Sequence, residues 1–449
     1  MKYLHPVGDS IFHLDHRLTP EVRAMLASMA SRLPVGGIAA RYQQIVDSVD
    51  GQEDRLTDYP LPEKVQGFFD EFVGRYGHSS IMEQVGDPAV YVEGQSWFTN
   101  WLLFDSPLVK GQEFSTRAVQ KKDWPMAREC VGGESTEEPL STLGLDRRPH
   151  PGLQCLHDSW MQVFEAEVSW WKEHLTDPKN REALDIGDKE PFRPALDRAR
   201  WALPGTIASG ACFTSDLRER ARVLRDARHM GPQYHPVWAD IEAAYKTAQP
   251  GIAAQAFRSA PVNHQLPTHL AHILRPVHDP SQKPVEVFVQ LSDQGSVNIP
   301  PYRRDKERSY ADPILNQNAQ VRVSMDCSLA VARDWHRHRT MYPWTLEVNV
   351  DTQGLLQLDR HYEPRSELGK TKLPMLLQRA TTQYKLFMDR GAVQYAALCL
   401  PLGTRMRISG AGGLRDVLYS LELRKYAHGA NFEYKAQATE ALQQLFAAT

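Results

Sequence analysis

A helix breaker, a run of small residues and an arginine opening a helix occur twice in this chain at one spacing, and this limits its possible folds more than any other feature. The two stretches are "ARWALPGTIASGACFTSDLRERARVL" (199–224) and "AALCLPLGTRMRISGAGGLRDVLYSL" (396–421). Pro204 to Arg218 and Pro401 to Arg415 both span 14 positions. Such self-similarity is the mark of a duplicated unit. The boundary is expected near "AYKTAQPGIAAQ", giving a first repeat over 1–250 and a second over 251–449. A chain of 449 residues is long enough for two such cores.

In the first copy Thr214, Ser215 or Asp216 can cap a helix, because their side-chain oxygens accept from first-turn amides. Leu217, Ala221 and Leu224 then share an apolar face, and Arg218, Arg222 and Arg225 form a basic stripe. In the second copy "SGAGG" is expected as a glycine turn, followed by a helix with Leu414, Val417, Leu418 and Leu421 on its apolar face. Such a turn suits a phosphate, since it aims unpaired amides outward. Equally, Gly410, Gly412 and Gly413 could serve only to turn the chain, as no complete phosphate-loop or dinucleotide fingerprint is present.

Segments 158–175 and 431–446 have helical periodicity, whereas 284–293 and 344–351 alternate as strands. "LRPVHDPSQKP" reads as a surface loop. Helices and strands are mixed in both halves, which leaves α+β or α/β as the class.

The formal net charge of −3 argues against a dedicated nucleic-acid binder, so any anion site is local. No stretch approaches the roughly 18 apolar residues of a membrane span, and the N-terminal segment lacks the apolar run of a signal peptide. A cytoplasmic location is expected. Cys130, Cys155, Cys212, Cys327 and Cys399 are far apart with no C-x-x-C pair, and read as reduced and structural.

The densest cationic and aromatic cluster is "DWHRHRTMYPW" (334–344). His336 and His338, two apart, would share one side of a strand and could hold a metal, but Arg337 and Arg339 between and after them disfavour a dication. Trp335, Tyr342 and Trp344 among the arginines could stack on bases, against the acidic balance of the chain. A third reading is a pocket for a phosphorylated aromatic ligand, and the plain one is a salt-bridged helix end. Two further polar sets matter. "RYGHSSIMEQ" (75–84) carries His78, Ser80 and Glu83, and in "GQEFSTRAV" (111–119) Glu113, Ser115 and Arg117 alternate on one side of an extended segment.

Together these residues resemble the flavin-dependent thymidylate synthases. That family's signature is R-H-R followed by S-x-N-E-x-S-x-R-Y, with a preceding G-H-x-S-x-x-E-like element and later A-R-x-x-L-P and N-x-R segments. The first half is similar in Gly77-His78-Ser79-Ser80 with Glu83, in Gln112-Glu113-Phe114-Ser115-Thr116-Arg117, in Ala199-Arg200 before Leu203-Pro204, and in Asp216-Leu217-Arg218. Where R-H-R is expected it has "FDSPLV". The second half keeps Arg337-His338-Arg339, then Leu400-Pro401, Leu414-Arg415 and Leu423-Arg424, but has "TMYPWTLEV" where the N-E-x-S segment would follow. Gln112 stands for the usual Asn, Ala118 for Tyr, Asp216 for Asn, and Asp334 for a frequent Gln.

The resemblance implies an α+β chain of two tandem synthase-like domains forming a pseudo-dimer, each half keeping its own part of one divided site. It implies FAD held by His78, Ser80, Glu83, Arg337, His338, Arg339, Arg218 and Arg415. Gln112, Glu113, Ser115, Arg117, Arg200 and Arg424 would hold a pyrimidine nucleotide such as dUMP, with Arg200 and Arg424 as the catalytic arginines. Methylenetetrahydrofolate would give the one-carbon unit and NADPH would reduce the flavin, so the cofactor carries the chemistry. No metal, nucleic acid or membrane is implied, and two chains would make a homodimer. The alternative is a catalytically degenerate homologue that binds flavin or nucleotide for a structural or regulatory role.

Overall fold

Runs rich in β-branched and aromatic residues build two five-stranded sheets among the described residues. The structure is a computed structural model describing residues 1–7, 11–30, 37–58, 60–75, 89–116, 125–130, 150–186, 192–215, 223–224, 235–248, 273–291, 319–426 and 431–448. His78, Ser80, Glu83, Arg117, Asp216 and Arg218 lie outside them, as do Arg222 and Arg225, the rest of the first basic stripe. The chain is α+β.

The first sheet holds β1 (Leu4–Pro6), β2 (Ile11–Leu14), β3 (Val90–Gln95), β4 (Lys110–Glu113) and β5 (Ser209–Thr214) in the order β1-β2-β3-β5-β4. The second holds β6 (Arg275–Val277), β7 (Val285–Leu291), β8 (Ala319–Ser328), β9 (Thr345–Asn349) and β10 (Arg405–Gly413) in the order β6-β9-β10-β8-β7. All pairings are antiparallel except β6 with β9. Each sheet is drawn entirely from one side of residue 250.

The helices are α1 (Pro20–Ala30), α2 (Gly37–Asp47), α3 (Glu63–Phe69), α4 (Trp97–Phe104), α5 (Pro151–His174), α6 (Pro178–Ala183), α7 (Phe192–Ala199), α8 (His235–Ala248), α9 (Leu329–His336), α10 (Glu367–Asp389), α11 (Val393–Leu398), α12 (Leu414–Tyr426) and α13 (Phe432–Ala448). None is long and apolar enough to cross a membrane. One order of elements occurs twice: strand, eight-residue helix, strand, long helix, Leu-Pro turn, central strand. It runs β3, α4, β4, α5, Pro204, β5 in the first half and β8, α9, β9, α10, Pro401, β10 in the second. In both, the last strand inserts between the other two.

The two Leu-Pro turns face each other. Leu402 N donates to Leu203 O at 2.8 Å and Gly403 N to Trp201 O at 2.8 Å. A Cβ on Gly205 would stand 2.3 Å from Leu400 O, so only glycine lets the turns approach this closely. The long helices α5 and α10 also pack together.

The glycine run departs from expectation. Ser409 to Gly413 are not a turn but the end of β10, paired with Ser324 to Gln320 of β8. A Cβ on Gly410 would stand 2.6 Å from the Trp344 ring, and one on Gly412 2.6 Å from Thr340 O. The glycines let the 339–344 segment lie flat on the strand, and α12 begins directly at Leu414 without a phosphate-cradling turn. Leu414, Val417, Leu418 and Leu421 are buried, as their spacing predicts. Thr214 ends β5, and Arg275–Val277, expected in a loop, form the edge strand β6.

Candidate functional site

The short helices α4 and α9 bring the two halves together, and a serine starts each. Ser96 Oγ accepts from Thr99 N and Ser328 Oγ from Val331 N, both at 3.2 Å, which satisfies a first-turn amide. Each serine is in turn clasped by a buried carboxylate. Ser96 N and Oγ donate to Glu129, and Ser328 N and Oγ donate to Glu433. A third clasp joins Ser366, the cap of α10, to Glu167. With their starts fixed, α4 and α9 pack so that His336 stacks on Trp101, ring centroids 3.7 Å apart.

This contact corrects the strand geometry expected for the two histidines. His336 is the last residue of α9, and its Nε2 lies 3.6 Å from Asp105. His338 follows the helix and meets a different set of neighbours, so the two imidazoles do not share a ligand position.

The end of α9 meets β4. Arg333 Nη2 pairs with Glu113 Oε2 at 2.5 Å, both side chains being buried. Asn100 Nδ2 also donates to that oxygen, at 3.3 Å. Arg337 Nη1 donates to Gln112 Oε1 at 3.0 Å, and its Nη2 to Asp334 Oδ1 at 3.2 Å. Arg339 Nη1 reaches Pro107 O at 3.3 Å, in the "FDSPLV" segment that replaces R-H-R in the first half. The second half's R-H-R thus lies against the first half's Gln112-Glu113.

Asp334 links this cluster to Arg200, whose Nη1 reaches its Oδ2 at 3.4 Å. Arg200 is 1% exposed and also meets Tyr362 Oη and Asp197. Burial alone would loosen its proton, but Tyr362, Asp197 and Asp334 around it outweigh this and hold it more firmly protonated than usual. Its Nη2 and the Nε of Arg333 are buried donors with no partner among the described residues.

Arg424 Nε donates to His338 Nε2 at 2.8 Å, and its guanidinium lies over the Tyr434 ring. His338 must therefore carry its proton on Nδ1. Burial first, then Arg424 and Arg337, hold its pKa well below the ordinary value, so the ring is neutral. Trp344 Nε1 donates to His338 O at 3.1 Å and fixes the following turn. That turn packs on α12, which carries Arg415 and Arg424.

Of the site residues the sequence suggests, Gln112, Glu113, Arg200, Arg337, His338, Arg339 and Arg424 fall within this contiguous network, and Arg415 lies in the first turn of α12 beside it. Ser115 follows β4, half-buried. His78, Ser80, Glu83, Arg117 and Arg218 lie outside the described residues. Arg333, Asn100 and Asp334's bridging role were not read from the sequence, because their partners are distant in the chain. A second polar cluster, Asp359, His361 and Glu433, also went unread. No family model and no curated protein matches the chain.

Proposed function

We propose that this chain is a tandem, flavin-dependent thymidylate synthase-like enzyme that transfers a one-carbon unit to C5 of a pyrimidine nucleotide such as dUMP. The observation that carries the reading is the contact of Arg337 with Gln112: motif pieces that are divided between the halves in sequence meet in space. Side chains that can only donate dominate the cluster, and two buried donors lack partners among the described residues. That chemistry fits the anionic groups of FAD and of a nucleotide.

In this reading Arg337, Arg339, His338 and Arg415 hold FAD together with His78, Ser80, Glu83 and Arg218. Gln112, Glu113, Ser115 and Arg117 read the nucleotide, with Arg117 on its phosphate. Neutral His338 offers its Nδ1 proton as a donor while Arg424 fixes the ring. Half-buried Arg424 suits stabilisation of developing enolate charge better than Arg200 does. Buried Arg200 acts through Asp334, which orients Arg337. The bound flavin would supply hydride to the uracil ring after methylenetetrahydrofolate has given its carbon, and NADPH would restore the reduced flavin. Two chains would complete the assembly as a homodimer.

One contact favours a second reading. Glu113 is already neutralised by Arg333, which suits a homologue that binds without catalysing. Anaerobic reduction of the flavin-loaded protein separates the two. Addition of dUMP and methylenetetrahydrofolate reoxidises the flavin in an enzyme, and failure with every pyrimidine nucleotide leaves the binding-only reading.

A further inference from the structure

We propose that Asp359, His361 and Glu433 form a site for one divalent transition-metal ion of the zinc class, apart from the arginine cluster. One donor atom from each residue lies within 4.8 Å of the others. Asp359 and His361 come from the loop between β9 and α10, and Glu433 from the first turn of α13.

Asp359 is 1% exposed. Its Oδ1 accepts from His361 N at 3.0 Å and lies 2.7 Å from His361 Nδ1, while its Oδ2 is buried with no hydrogen-bond partner among the described residues. A buried carboxylate oxygen without a donor calls for a cation. Glu433 is fully buried and accepts from Ser328 N at 2.7 Å, Ser328 Oγ at 2.8 Å and Gln437 Nε2 at 3.0 Å. These neutral donors orient the carboxylate, as partners behind a metal ligand do, and no ion pair to it is found among the described residues.

The surroundings agree. Buried Asp359 and Glu433 bring two carboxylates within 4.8 Å of one imidazole. Of the nearby arginines, Arg200 is engaged by Asp334, Asp197 and Tyr362, and Arg360 by Glu440. The His361 side chain is 17% exposed, which gives an ion a way in.

The other two serine clasps serve as internal controls. Glu129 and Glu167 hold Ser96 and Ser366 as Glu433 holds Ser328, yet among the described residues only Glu433 has an aspartate and a histidine beside it. Capping therefore does not account for Asp359 and His361. A nitrogen donor with two carboxylates suits Zn²⁺, whereas Mg²⁺ and Ca²⁺ prefer oxygen alone.

The test uses the full chain, stripped with EDTA and dialysed against Zn²⁺ or Co²⁺, with metal per chain measured by plasma mass spectrometry. One equivalent is expected, with visible d–d bands for Co²⁺. His361→Ala and Asp359→Asn should each weaken uptake on the order of tenfold or more, while Glu129→Gln leaves it unchanged. Should Asp359→Asn not fold, His361→Ala, at the accessible edge, decides alone. Substoichiometric uptake by the wild-type chain, or full uptake by folded His361→Ala, overturns the site.

Discussion

Arg337 Nη1 donates to Gln112 Oε1 at 3.0 Å across 225 positions of chain, and the same guanidinium holds Asp334 at 3.2 Å. Two side chains from different halves are thereby fixed at one place. A double-mutant cycle over Arg337→Ala and Gln112→Ala should show a coupling of about 0.5–1 kcal/mol in stability, as expected for partly buried groups that share a hydrogen bond. Additive effects within about 0.3 kcal/mol would show that the pair does not interact.

Arg333 and Glu113 are buried partners at 2.5 Å. Removing one leaves the other as an unpaired buried charge, so Arg333→Met should destabilise the chain by about 3–5 kcal/mol in urea unfolding. Adding Glu113→Gln should recover much of that loss. If the double variant is no more stable than Arg333→Met, the ion pair is not the cause.

His338 links the site to pH. Its folded pKa is well below the ordinary 6.5, so the unfolded chain binds a proton there more readily as pH falls. Its contribution is complete above about pH 6.5 and is lost progressively below it. The stability of His338→Gln, followed by denaturant midpoints from pH 7.5 down to about pH 5, should fall less steeply than that of the wild-type chain. Parallel curves would assign the acid sensitivity elsewhere.

Gly410 sits under Trp344, where a methyl group would stand 2.6 Å from ring carbons and 2.7 Å from Met341 O. Gly410→Ala should cost about 1–3 kcal/mol by overpacking and alter tryptophan fluorescence. Unchanged stability would mean that the 339–344 segment shifts freely.

Regular elements were legible because their periods are strong. The helices over 158–175 and 431–446 and the strands over 284–293 and 344–351 all occur, with shifted ends. "SGAGG" misled because glycine usually marks a turn, whereas here it makes room for Trp344 against a strand. A spacing of two would put His336 and His338 on one side of a strand, but Ser328 caps a helix that carries the first and ends before the second. The union of Gln112 with Arg337 was expected only through family resemblance. Glu433 lies 72 positions beyond His361 on another element, so no local spacing announced that cluster.

The central claim, a flavin site completed by both halves, is tested most directly by titrating the purified chain with FAD and following the visible absorption of the bound flavin. One FAD per chain is predicted, with affinity reduced on the order of tenfold or more in folded Arg337→Ala. Arg117→Ala should keep flavin while losing nucleotide. A folded wild-type chain that takes up no FAD, or an Arg337→Ala variant that binds it as tightly, would contradict the account.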